Sequence, residues 1–245
     1  LFSFIFITNR TLYLLFMKKQ AIFITGAERS GSTLIARIFD ICGVFRGATT
    51  SMLENIEMKN LCDEYLLEVN NKFSTFMPDT QNLTIPVDWQ QRVDSILYGC
   101  ECYKGGVWMF KCSKLAQMWP VWNYAYPDAK WIIVRRRTGD IVQSCMKTAY
   151  MTLCKNEDVL LKIGVSSQEE GWKWWVHQYE KKFVEMIEAG LNCRIIWPER
   201  MVVGDYEQIY QTVEWLGLKW NPKIVKIIDP LLDKSRRKEY GTSNT

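Results

Sequence analysis

Residues 21–34 read AIFITGAERSGSTL. The apolar run from Ala21 to Ile24 has the length and continuity of a strand buried on both faces, as strands of parallel sheets are. Gly26-Ala27-Glu28-Arg29-Ser30-Gly31-Ser32-Thr33 follows, and after it Leu34, Ile35, Ile38, Phe39 and Cys42 recur at helical spacing and are expected to face the sheet. A strand, a glycine loop and a helix start, in that order, make a phosphate cradle. Successive backbone N–H groups and the helix N-terminus present partial positive charge to an anion. Glycine is needed because a side chain would hold the backbone away from the phosphate.

Gly26 and Gly31 enclose four residues, the spacing of a nucleotide-binding P-loop. Such a loop has lysine directly after the second glycine. Here that position is Ser32, and the positive charge is Arg29 inside the loop. The nearest imitation of a Walker-B aspartate, Val225 to Asp229, falls where a helix end is expected. Without both groups a triphosphatase would neutralise its β- and γ-phosphates poorly. The loop therefore suits a phosphate or sulfate ester rather than a triphosphate with magnesium.

With Arg29-Ser30-Gly31-Ser32-Thr33 the chain resembles the sulfotransferases, whose 5′-phosphosulfate loop has a basic residue followed by Ser-Gly and two hydroxyl residues. The arginine form is similar to the carbohydrate and tyrosylprotein branches, and residues 43–70 resemble a segment of bacterial and viral members. The resemblance implies 3′-phosphoadenosine 5′-phosphosulfate (PAPS) as donor, adenosine 3′,5′-bisphosphate as product, and no metal. It also implies a P-loop NTPase-like three-layer α/β fold, with a central parallel sheet of about five strands and helices on both faces.

A second stretch, Tyr126 to Ser144, reads YPDAKWIIVRRRTGDIVQS. Trp131 to Val134 is strand-like, and Asp140 opens a helix with Ile141, Val142, Cys145, Met146 and Ala149 expected on its buried side. Arg136 and Ser144 match the register of the family's 3′-phosphate motif, where a guanidinium fork and a hydroxyl meet a phosphate monoester. Val107 to Phe110 is another buried run, and Lys111 stands at its C-terminal end, where open parallel sheets gather their ligands. Family members often continue Lys-Asp-Pro there, whereas this chain continues Lys111-Cys112-Ser113. Glu57 falls where the bacterial and viral members have an acidic residue, and Tyr206 where a tyrosine approaches the adenine.

The resemblance thus assigns Arg29, Ser30, Gly31, Ser32, Thr33, Arg136, Ser144 and Tyr206 to the donor. Arg29 and Lys111 become the cations for the leaving phosphate and the moving group, and Glu57 the base for an acceptor hydroxyl. The acceptor is expected to be a small molecule or a glycan, with a saccharide favoured. The alternatives are a nucleotide kinase and a non-catalytic nucleotide-binding protein of the same fold.

The remaining sequence bounds these readings. A chain of 245 residues with 48% hydrophobic composition can bury a full core as one domain. Net charge of +4 is too mild for a nucleic-acid partner. There is one histidine, and the eight cysteines include no CxxC, so a zinc site is not expected and the thiols read as reduced core fillers of a cytoplasmic protein. Residues 1–16, LFSFIFITNRTLYLLF, read as a non-native or upstream leader before a domain spanning 17–245. Two short apolar runs there fall below the length of a membrane span, with a membrane anchor as the alternative. Residues 70–100 carry loop signals and are expected to form loops and short helices covering the site rather than a second domain. Arg194 to Trp197 and Met201 to Val203 are strand-like. Ser166-Ser167 start a helix in which Trp172, Trp175, Val176, Tyr179, Phe183, Met186 and Ile187 form one stripe. Trp174, a candidate for stacking on a sugar, and His177, a secondary candidate base, lie off that stripe. The basic run Ser235 to Lys238 reads as a solvated tail.

Overall fold

The structure, a computed structural model, describes residues 20–73 and 75–228. The leader at 1–16 and the basic run at 235–238 lie outside the described residues. Four strands form one parallel sheet in the order β2-β1-β3-β4: β1 (Gln20–Thr25), β2 (Val107–Lys111), β3 (Lys130–Val134) and β4 (Cys193–Ile196). Ile24 pairs with Lys111 on one side and Ile132 on the other, so β1 is central and its C-terminal end opens between the ends of β2 and β3.

Alternation along the strands feeds two cores. Phe23, Trp108, Phe110, Trp131 and Ile133 enter one, and Ile22, Ile24, Met109, Ile132 and Val134 the other. Phe23 meets Trp108, Trp122, Tyr126 and Trp131 edge-on at 4.8 to 5.8 Å between ring centres. Burying one such ring stabilises by about 1.5–3 kcal/mol. Both faces of the sheet are covered by helices. On the Phe23 side these include α2 (Ile56–Phe73), α3 (Trp89–Gly99), α4 (Lys114–Gln117), α5 (Trp119–Ala125), α6 (Thr138–Lys147) and the long α8 (Gln168–Glu188), with the short α7 (Glu157–Ile163) alongside. On the other side are α1 (Ser32–Ile41), α9 (Pro198–Val202) and α10 (Glu207–Trp215).

Among the described residues the sheet has four strands, where the sequence reading counts about five. The difference is Met201 to Val203, which is not strand: Pro198–Val202 is a helix with proline in its first turn. Proline lacks the N–H that a first helical residue leaves unpaired anyway, and its φ is already helical. Three side chains also depart from their expected burial. Met146 is exposed near the end of α6, Ala149 lies beyond that helix and is exposed, and Ile187 is exposed on α8. Elsewhere the expected faces hold, with Ile35, Ile38 and Phe39 fully buried on α1 and Trp172, Val176, Tyr179, Phe183 and Met186 buried on α8. The N-cap of α8 is Ser167, which accepts from the Glu170 N–H at 3.3 Å. The 70–100 stretch is partly helical, since α2 runs on to Phe73 and α3 buries Trp89, Val93 and Leu97. No helix among the described residues is long and apolar enough to cross a membrane. All eight cysteines are free, and Cys62, Cys112, Cys145 and Cys154 are buried.

Candidate active site

The loop from Gly26 to Gly31 crosses the C-terminal end of the sheet and turns tightly. Ser30 N–H donates to Ala27 C=O at 3.1 Å, and Leu34 N–H to Gly31 C=O at 3.0 Å. Gly31 is left-handed at φ 97° and packs on Pro198 of α9. A Cβ on Gly26 would lie 2.5 Å from both Ser30 Oγ and the Val134 carbonyl. Arg29 is itself left-handed at φ 69°, a conformation that costs a non-glycine residue roughly 1–3 kcal/mol and persists only when its surroundings enforce it. Ser30 Oγ is buried and has no hydrogen-bond partner among the described residues. A tight glycine turn, a strained arginine and an unpartnered buried hydroxyl fit a loop that closes around an oxyanion. Ser32 and Thr33 open α1 half-buried, and Thr33 Oγ1 donates to the Met52 carbonyl at 3.4 Å.

The guanidinium of Arg29 reaches α6 and the turn after it. Its Nε donates to Ser144 Oγ at 3.0 Å and its Nη1 to the Tyr150 hydroxyl at 2.8 Å. Arg136 Nη1 donates to the Arg29 carbonyl at 3.2 Å. Arg29, Arg136 and Ser144, far apart in sequence, are thus brought together at one end of the loop. Both arginines are half-buried, and among the described residues neither has a carboxylate partner. Their neighbours differ: Arg135 Nε bonds Glu180 at 3.1 Å, and Arg137 is paired with Asp140 and Glu199.

On the other side of the loop Lys111 ends β2, 7% exposed, and donates to Glu54 Oε1 at 3.0 Å. Glu57 does not join this pair and is exposed in the first turn of α2. The cause is local. Asn55 caps α2 by accepting from the Met58 N–H at 3.0 Å, while its amide donates to the Arg46 carbonyl at 3.1 Å. This closes residues 46–55 into a turn that presents Glu54 inward, and the buried Met58 leaves Glu57 on the outer face. Glu54 had a sequence signal, an Asn N-cap before the stripe Met58, Leu61, Cys62, Leu66 and Val69, which already excludes Glu57 from the inner face.

Glu28 is the second carboxylate missed by the sequence reading. Its oxygens accept from Ser113 Oγ at 2.8 Å, Trp175 Nε1 at 2.7 Å and the Tyr179 hydroxyl at 3.2 Å. Burial first, and Glu28 second, hold Tyr179 well above its ordinary range, so it stays a neutral donor. Beside Lys111, burial and then Glu54 push the Cys112 thiol up to about 12. Lys114, in contact with Asp63, is lowered by burial and then by Lys59. Tyr206 is half-buried just before α10, packed on the second core. His177 is exposed and Trp174 half-buried against the first core. Among the described residues no group of three or more histidine, cysteine or acidic side chains could hold a metal ion.

No family model matches the sequence, and no curated protein matches it. Solved structures do. A sulfotransferase from Alicyclobacillus acidocaldarius superposes with a TM-score of 0.51 at 13% identity, over 89% of this chain and 93% of that one. Sulfotransferase STF1 from Mycobacterium tuberculosis H37Rv superposes with a TM-score of 0.50 at 11% identity, over 89% of this chain and 73% of that one. Sulfotransferase STF9 from Mycobacterium avium gives 0.48 at 12% identity, over 91% and 70%. The first two carry the conclusion about architecture: a central parallel sheet, helices on both faces and a glycine loop at the end of the first strand give this chain a sulfotransferase-type, P-loop-like α/β fold.

Proposed function

We propose that the protein is a sulfotransferase that uses PAPS as donor and an alcohol as acceptor. The observation that carries this reading is the meeting of Arg29 and Arg136 at the glycine loop with no carboxylate partner for either among the described residues. Half-buried cations without acidic partners are costly unless an anion completes them. The loop backbone with Ser30, Gly31, Ser32 and Thr33 would hold the 5′ end of the donor, Arg136 and Ser144 its 3′-phosphate, and Tyr206 would lie beside the adenine. When bound, the donor supplies a sulfuryl group activated on a phosphate oxygen.

Lys111 and Glu54 are the residues for the chemistry at the other side of the loop. The lysine is a preorganised cation for charge on the leaving phosphate, the kind of group typically worth ~10²–10³ in rate. Glu54, hydrogen-bonded to it, is better placed than Glu57 to take the proton of the acceptor hydroxyl, a role typically worth ~10²–10⁴. Arg29 acts from within the loop, with its guanidinium turned toward Ser144. Lys59, Asp63 and Lys114 form a charged group whose Lys114 feels Glu54. Such surroundings suit a polyhydroxy acceptor, and a saccharide is the class to test first.

The test is thermal stability titrated with adenosine 3′,5′-bisphosphate and, separately, with ATP and magnesium. The bisphosphate at a hundredfold over its Kd should stabilise by about 2.7 kcal/mol. A shift with ATP and magnesium alone would overturn the proposal. Labelled donor offered with glycans, tyrosyl peptides and phenols then identifies the acceptor, and turnover of phenols alone would remove the saccharide assignment.

A further inference from the structure

Tyr150 belongs to none of the motifs above, yet it makes the second side-chain contact of the loop arginine. The turn that places it follows α6: Thr148 Oγ1 donates to the Ser144 carbonyl at 2.6 Å, and Met151 N–H returns to the Thr148 carbonyl at 3.2 Å. The phenol is 60% exposed, so core packing does not account for its position.

The chemistry of the contact fixes the direction of two protons. A guanidinium only donates. Ser144 Oγ and the Tyr150 oxygen, each facing a nitrogen of Arg29, must therefore accept, and the hydrogen of each hydroxyl is turned away from the cation. Neither hydrogen finds an acceptor among the described residues, and Nη2, the remaining nitrogen of the same planar group, also has no partner among them. Two outward-turned hydroxyls flanking an unused guanidinium nitrogen form a set of donors with no acceptor among the described residues. A phosphate monoester, with three equivalent oxygens, can take all of them at once.

We propose that Tyr150 is a donor-binding residue, whose phenol donates to the same phosphate monoester as Ser144 and so helps the protein distinguish a 3′-phosphorylated nucleotide from an unphosphorylated one. This rests on the proposed reading of the Arg29, Arg136 and Ser144 site. It goes beyond that reading in adding a neutral phenol donor from outside the expected motif.

The experiment compares the affinities of wild type, Tyr150→Phe and Ser144→Ala for adenosine 3′,5′-bisphosphate and adenosine 5′-monophosphate by calorimetry, with the ligand-free Tm of each variant measured alongside. Phenylalanine keeps the ring and removes only the hydroxyl. The expected result is a loss of about tenfold or more for the bisphosphate in Tyr150→Phe, the size of one hydrogen bond to a charged group, with the monophosphate unchanged and the ligand-free Tm intact. Unchanged bisphosphate affinity in Tyr150→Phe, while Ser144→Ala loses it, would overturn the role of Tyr150 and leave the site assignment standing. Equal losses for both nucleotides would reduce Tyr150 to a support for the loop and overturn the proposal. A wild-type protein that binds both nucleotides equally would overturn the site assignment and the proposal together.

Discussion

Trp175 donates its indole N–H to Glu28 Oε2 at 2.7 Å, joining the middle of α8 to the glycine loop across 147 positions of sequence. Ser113 and Tyr179 complete the hold on this carboxylate. Glu28 directly precedes the left-handed Arg29, so three donors from two other elements brace the one strained residue of the loop. Removing one donor should cost the strength of a hydrogen bond to a charged group, about 1.5–3 kcal/mol. Trp175→Phe is expected to lose that much in urea unfolding, while Trp174→Phe, on the same helix and without the bond, should cost less. Equal losses for the two would mean that the bond contributes nothing beyond ring packing.

The Lys111–Glu54 pair separates stability from chemistry. Breaking a fully buried pair from one side costs about 3–5 kcal/mol, because the remaining charge is stranded. Glu54 retains 17% side-chain exposure, so Lys111→Met should destabilise by somewhat less. Lys111→Met with Glu54→Leu should recover part of the loss in equilibrium unfolding. In turnover assays Lys111→Met and Glu54→Gln should each lose about a hundredfold or more. Glu57→Gln should stay near wild type, and a large loss there would return the role of base to Glu57.

Two glycines give opposite expectations. Gly26→Ala places a methyl 2.5 Å from the Val134 carbonyl, a backbone atom of β3 that cannot yield without moving the strand. It should abolish nucleotide binding and lower Tm markedly. Gly43→Ala meets nothing within 4 Å, although φ there is 88°. Its cost should be limited to the left-handed backbone, about 1–2 kcal/mol, with binding retained. Retained binding in Gly26→Ala would mean the loop is not the anion site.

Alkaline pH should reveal the buried thiols. Burial pushes Cys145 up to about 12 and Cys154 to about 11, from an ordinary value of 9.0. A folded-state value above the unfolded one means that the native protein holds the proton more tightly. The resulting stability is complete below pH 9.0 and is lost as pH rises through the range up to about 12. Urea unfolding at pH 8 and pH 10 should show the fall, and Cys145→Ala with Cys154→Ala should make it shallower. Iodoacetamide at pH 8 should label the exposed Cys102 well before Cys112 or Cys145, since the thiolate is the reactive form. Early labelling of Cys145 would contradict its burial.

The strands, the glycine loop and the stripes of α1 and α8 were legible in the sequence because each depends on residues close together in the chain. An unbroken apolar run such as Ala21 to Ile24, closed by a glycine loop, fits a strand covered on both faces, and Gly26 and Gly31 mark a turn that side chains would obstruct. Arg29 and Lys111 could be singled out because one sits in the glycine loop and the other at a strand end, whereas Arg136 and Ser144 were marked by the resemblance of their register to the 3′-phosphate motif of the sulfotransferases. The fifth counted strand failed because Met201 to Val203 is apolar in either conformation, and Pro198 with its packing on Gly31 decides for helix. What only the tertiary structure decided is how the charges are partnered. Glu54 rather than Glu57 meets Lys111 because Asn55 closes the turn between Arg46 and α2. Glu28 is held by Trp175 and Tyr179, which the helical period marks only as core. Arg29 turns to Ser144 and Tyr150, and no periodicity predicts that contact. Local pattern fixes which face of an element is buried, but a hydrogen bond between side chains distant in sequence exists only once the elements have packed.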